Sequence, residues 1–112
     1  MKFFDRPLSP DEIKKLQDQW GDYLKVTVDI KNNWVIAGGE LHADGEQLLL
    51  SKGSQQDHIW GGGINLQDKL IDTTAVLNLR PRLKNDNLEI LDPDRREKFI
   101  GIVKSYFKQL WV

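Results

Sequence analysis

Apolar positions recur along the chain with two periods, and each change of period marks an element. Ile13, Leu16 and Trp20 follow helical spacing behind a strong start signal. Ser9 is a good N-cap, Pro10 suits the first helical position and Glu12 completes a capping box, with Leu8 and Ile13 at the staple positions. Gly21 stops this helix. From Tyr23 to Ile30 the period falls to two, with Leu24, Val26, Val28 and Ile30 on one side, which predicts a half-buried strand. Lys31-Asn32-Asn33 reads as a turn, and Trp34 to Ala37 returns as the hairpin partner. Gly38-Gly39 bends this strand or forms a bulge before it continues through Glu40-Leu41-His42.

Asp44 and Gln47 have capping-box spacing and Gly53 suits a C-terminal cap, which predicts a short helix over 45–52; a buried three-leucine strand is the rival. Ser54 to Gly63 is a polar, glycine-rich connection into a strand over 63–67, followed by a turn at Asp68-Lys69. Residues 2–6 read as a short strand or lead-in. Ile71 to Arg80 alternates again. Ile71, Thr73, Ala75, Leu77 and Leu79 take one side of a second long strand, Asp72, Thr74, Val76, Asn78 and Arg80 the other. Pro81 ends it. Asp92-Pro93 opens a last helix striped by Phe99, Ile100, Val103, Phe107 and Leu110. Gly101 inside that helix costs roughly 1 kcal/mol against alanine, which suggests a close contact with the sheet.

These elements predict an α+β fold: one domain over 1–112, with a mainly antiparallel sheet of about four strands. An N-terminal helix, a short middle helix and a C-terminal helix cover one face of it. The expected core is Ile13, Leu16, Trp20, Val26, Val28, Ile36, Leu77, Leu79, Phe99, Val103 and Phe107.

Composition narrows the function classes. Sixteen Lys and Arg against 17 Asp and Glu give a net charge of -1, so no strong nucleic-acid signal is present. The chain has no cysteine, which excludes disulfides, thiolate zinc sites and a cysteine nucleophile. Its apolar runs are too short to span a bilayer, and charge interrupts Met1–Pro7 too early for a secretory leader, so a cytoplasmic protein without a membrane partner is expected. Nothing in the sequence names a cofactor.

The candidate chemistry centres on Glu40, His42 and Asp44. At i, i+2 and i+4 on a strand they share one face, roughly 7 Å between next-nearest Cα atoms. They would suit a divalent metal, or His42 would exchange a proton with Glu40 orienting it. The competing reading puts Glu40 and His42 on the solvent side of a hairpin, with Asp44 capping the next helix. Asn78 and Arg80 share a strand face; Arg80 would pair Glu40 or grip an anion bidentately, against a purely structural ion pair between strands. Asp57, beside His58 and Trp60, Asn65 and Asn78 are binding candidates. For Asp57 and Trp60 the competing roles are loop backbone satisfaction and packing. Gly61-Gly62-Gly63 precedes a strand, so the helix-start mechanism of a phosphate loop is missing.

At Gly38-Gly39-Glu40-Leu41-His42-Ala43-Asp44 the chain resembles a small family of uncharacterised prokaryotic proteins, a domain of unknown function. The likeness continues through Leu48-Leu49-Leu50, Gly53-Ser54-Gln55, Asp57, Trp60-Gly61, Ile64-Asn65, Asn78-Leu79-Arg80-Pro81 and Asp92-Pro93. It departs at Gly62-Gly63, which looks like an insertion. The resemblance implies no activity.

Two functions fit these residues. One is a ligand-binding or protein-interaction domain with a polar site around Glu40, His42, Asn78 and Arg80. The other is a small metal-assisted hydrolase, a nuclease or phosphoesterase, with Glu40, His42 and Asp44 as ligands or acid–base groups and Arg80 stabilising developing charge. The expected partners are a small anionic ligand and, through an exposed strand edge, a second copy of the chain.

Overall fold

The computed structural model describes residues 1–111. In chain order it contains β1 (Lys2–Phe4), α1 (Pro10–Trp20), β2 (Tyr23–Asp29), β3 (Trp34–Ala37) and α2 (His42–Ser51). β4 (Ile59–Asn65), β5 (Leu70–Asp72) and α3 (Pro93–Tyr106) follow. Short 3-10 turns occupy 56–58, 76–78, 81–83 and 108–111. The start of α1 forms as its sequence dictates. Ser9 accepts from the Glu12 amide, the Glu12 carboxylate accepts from the Ser9 amide, and Arg6 pairs with the same carboxylate. The Arg6 and Ser9 bonds hold the Glu12 carboxyl down to about 2. Asn33, at φ 59°, makes the tight return from β2 to β3.

The sheet has five strands in the order β1-β3-β2-β4-β5, every neighbouring pair antiparallel. Helices lie on both faces, not on one. Leu24, Val26 and Val28 of β2 turn toward α1 and α3, where they join Phe4, Leu16, Trp60, Phe99, Val103 and Phe107 in the main core. The alternate residues face α2, whose Leu49 packs with Ile36 and Ile59 in a smaller core. Gly45 lets that helix settle on the sheet: a methyl there would stand 2.6 Å from Thr27 Oγ1. Covered on both faces, β2 is buried from Val26 through Asp29 rather than in alternation.

Four expectations about elements fail. The second hairpin strand stops at Ala37, because Gly38 and Gly39 both take positive φ (88° and 99°) and turn the chain into α2. That helix starts at His42, with Leu41 at its N-cap and no side-chain cap. β4 begins four residues earlier than the expected strand and contains all three consecutive glycines. The long strand over 71–80 is cut at Asp72; beyond it come isolated bridges (Thr74 to Glu89, Arg80 to Asn85) and 3-10 turns. Leu79 consequently lies 49% exposed, outside the core, while Trp60 and Ile90 are wholly buried.

Gly101 also departs from expectation. It faces solvent, and a methyl there would meet nothing within 4 Å. Gly101→Ala should raise the unfolding free energy by about 0.5–1 kcal/mol in urea titration. Gly62→Ala should lower it by about 1–3 kcal/mol or more, because its methyl would sit 2.2 Å from the Asp72 carbonyl oxygen and 2.8 Å from the Phe99 ring. Equal shifts in the two variants would contradict this assignment of the two glycines.

Candidate functional site

The middle of β4 carries no side chains, and other residues occupy the space. On the α3 side the Phe99 ring lies against Gly62; on the α2 side the His42 ring and Ala75 lie against Gly61, and the Tyr23 ring against Gly63. His42 Nε2 stands 2.7 Å from the Gly62 carbonyl oxygen. A carbonyl only accepts, so Nε2 carries the proton and donates it, which leaves Nδ1 as the acceptor of the neutral ring. Burial has the largest influence on this ring and lowers its pKa. The Gly62 carbonyl opposes that, Lys25 adds to it, and Asp72 opposes it again.

Asn78 and Arg80, expected to share one face of a strand, are both buried and both spent on structure. The Asn78 side chain acts as a substitute strand residue beside β4. Its Oδ1 accepts from the Gly61 amide at 2.8 Å, and its Nδ2 donates to the carbonyls of Gly61, Thr73 and Leu88. Asn85, buried below it, donates to the carbonyls of Asn78, Asn87 and Glu89. Arg80 donates to the Ile59 carbonyl and pairs at 3.0 Å with Glu46 of α2, not with Glu40. Both members of that pair are largely out of water, with side chains 8% and 12% exposed. The Arg80 guanidinium lies 5.0 Å from the centre of the Trp60 ring, and that of Arg95 at 4.8 Å. Arg80 is thus the ion pair of the structural reading, with a partner on a helix instead of a strand.

The remaining candidates are dispersed. Glu40 and Asp44 are exposed, and with 42–44 in helix the shared strand face of Glu40, His42 and Asp44 does not exist. Among the described residues no three His, Asp or Glu side chains stand together so that they could hold a metal ion. Asp57 pairs with Arg82, and its carbonyl accepts from Trp60 Nε1. Asn65 Oδ1 accepts from the amides of Gln67 and Asp68, which closes the turn into β5.

One concavity adjoins His42. α2 covers only part of its sheet face, so a groove of about 370 Å³ remains between the start of the helix and the 76–78 turn. Lys25, Leu41, His42, Ala43, Val76 and Leu77 line it, mostly with apolar atoms. Leu41 and Val76 at its rim are 61% and 75% exposed. Lys25 and Val76 escaped the sequence reading. Lys25 looked like an ordinary solvent-side residue of β2, and Val76 like a strand residue; neither carries a local signal for a groove that only tertiary structure creates.

The fold and this groove define a small α+β domain with an antiparallel sheet between helices and a concavity on its partly covered face. The chain belongs to the family described as Protein of unknown function (DUF5674), whose model matches residues 2–106. No curated protein and no solved structure matches it. Among the described residues no helix is long and apolar enough to cross a membrane.

The lowered His42 pKa makes stability pH-dependent. The unfolded ring takes a proton near its ordinary value of about 6.5, above the folded value, so the neutral ring's contribution is complete above that pH and is lost as pH falls through the window. Wild type should therefore lose urea stability between about pH 7.5 and 5.5 faster than His42→Gln; parallel profiles would contradict the buried neutral ring. Asn78→Asp keeps the shape but removes two amide donors and buries a carboxylate, and should cost about 3 kcal/mol or more. Asn65→Asp keeps its acceptor and should stay within about 0.5 kcal/mol.

Proposed function

We propose that this domain binds a small molecule in the groove between the start of α2 and the 76–78 turn. The observation that carries the reading is that both walls are tied to β4 by polar contacts. His42 bonds the Gly62 carbonyl on one side, and Asn78 bonds both backbone groups of Gly61 on the other. The Arg80–Glu46 pair adds a third tie between α2 and the 73–91 segment. A cavity held open in the free protein requires little ordering when it is filled, which favours affinity for small ligands.

Size and lining agree with this. Small-molecule pockets run from about 300 to 1,000 Å³ and are mainly apolar with a few placed polar groups. At about 370 Å³, with Lys25 and His42 among apolar neighbours, the groove suits a small ligand. The larger concavity of about 580 Å³ beside α3 is lined by Asp5, Asn32, Lys98 and Ser105 among others and is more open and more polar. In this reading Arg80 and Asn78 are positioning residues, and His42 is a wall of the site.

A fragment panel screened by amide chemical-shift perturbation tests it. Hits should move Leu41, His42, Ala43, Val76 and Leu77 together, and Ala43→Trp, which fills the groove, should abolish the shifts without unfolding the chain. Hits confined to the cavity beside α3, or a dimer that buries Leu41 and Val76 in sedimentation and shift mapping, would overturn it.

A further inference from the structure

The groove has apolar walls and a single cationic side chain, and that combination selects among small molecules. Lys25 lies on β2 opposite Gly63, over which the Tyr23 ring lies, with Asp72 of β5 next in the same cross-strand row. Among the described residues no carboxylate reaches Lys25 within ion-pair distance; the ion pairs elsewhere involve Lys2, Arg6, Lys14, Arg80 and Arg82. Asp72 acts on His42 from nearby, but it does not line the groove. Its carboxylate accepts from the Tyr23 hydroxyl at 2.7 Å and from the Thr74 amide.

We propose that the groove takes a small monocarboxylate with an apolar body, its carboxylate on the Lys25 ammonium and its body against Leu41, Ala43, Val76 and Leu77. This rests on the small-molecule reading above and specifies the ligand. Charge complementarity carries it. One ammonium neutralises one negative charge, and no second cation lines the groove to compensate a phosphate dianion. His42 is held neutral and adds no second positive charge. The start of α2 lies on the same side with no side-chain cap, so its partial positive charge favours an anion without fixing where the anion sits. A neutral or cationic ligand of the same shape would leave Lys25 desolvated without a partner.

Shift-mapped titrations with hexanoate, hexanamide and hexylamine at low salt separate the two layers of the argument. Hexanoate should move the Lys25, Leu41, Ala43 and Val76 amides and bind about tenfold more tightly than hexanamide, as one charge-assisted contact at a partly exposed site provides. Lys25→Gln should remove that tenfold difference, with the amide spectrum outside the groove unchanged. Equal affinity for hexanoate and hexanamide would overturn the carboxylate assignment and leave the groove reading standing. Hexanoate affinity that survives Lys25→Gln, or hexanoate shifts centred on Lys98 and Ser105, would overturn it as well. No shifts from hexanoate at all would overturn it too, and no groove shifts from the fragment panel would take the groove reading with it.

Discussion

Three consecutive positions without side chains in β4 set the terms for everything packed around them. A residue with a Cβ at Gly62 would collide with the Phe99 ring, which is wholly buried in the main core. A Cβ at Gly61 would meet His42 and Ala75 at under 3 Å. The strand is therefore contacted closely from both faces, and the two layers of helices come nearer to its backbone there than ordinary side chains permit. What looks in sequence like a flexible glycine loop is in the structure a completely buried piece of sheet, paired residue for residue with β2. Its backbone is the surface on which the candidate site is built.

Residues 73–91 follow from the same constraint. β5 pairs with β4 only as far as Gly63 opposite Asp72, so the backbone groups of Gly61 would be left without partners in the interior. An unpaired buried amide is costly, and Asn78 satisfies both groups with a side chain that presents a donor and an acceptor as a peptide does. Asn85 then supports the Asn78 carbonyl, and Arg80 takes the Ile59 carbonyl two residues earlier on β4. An irregular segment thus completes a sheet edge through side chains. Asn78 and Arg80 stand in one short run of the chain because they serve alternate backbone groups of one strand.

Physical reasons divide what could be read in the sequence from what could not. α1, the β2–β3 return and the start of α3 are fixed by local chemistry: the Ser9 and Glu12 box, Asn33 in the left-handed region, the Asp92 cap ahead of Pro93. The 71–80 segment misleads because its alternation of apolar and polar residues is genuine, yet Asn78 and Arg80 point inward, to bond a strand that the sequence does not show to be incomplete. α2 hides its start because Leu41 holds the cap position and no side chain announces it. Of the site, His42 was legible as a residue type in an unusual setting. Lys25, Val76 and the groove were not, since they depend on how much of the sheet a ten-residue helix leaves bare.

His42 keeps its central place for a reason different from the one its spacing suggested. On a strand beside Glu40 and Asp44 it would have been one of three equivalent ligands. At the first position of α2 it does two separate things: it fastens the helix to the glycine strand through Nε2, and it forms part of the groove wall. The two roles are coupled, because protonating Nδ1 gives the ring a charge that burial disfavours, next to the Lys25 ammonium that already disfavours it. An anion resting on Lys25 would relieve that repulsion and raise the affinity of the ring for its proton, and by reciprocity a protonated ring would hold the anion more firmly. In the proposed carboxylate complex, ligand occupancy and the charge of the ring would be linked through one imidazole, and Gly61, which admits the ring to the strand backbone, is what would make the linkage geometrically available.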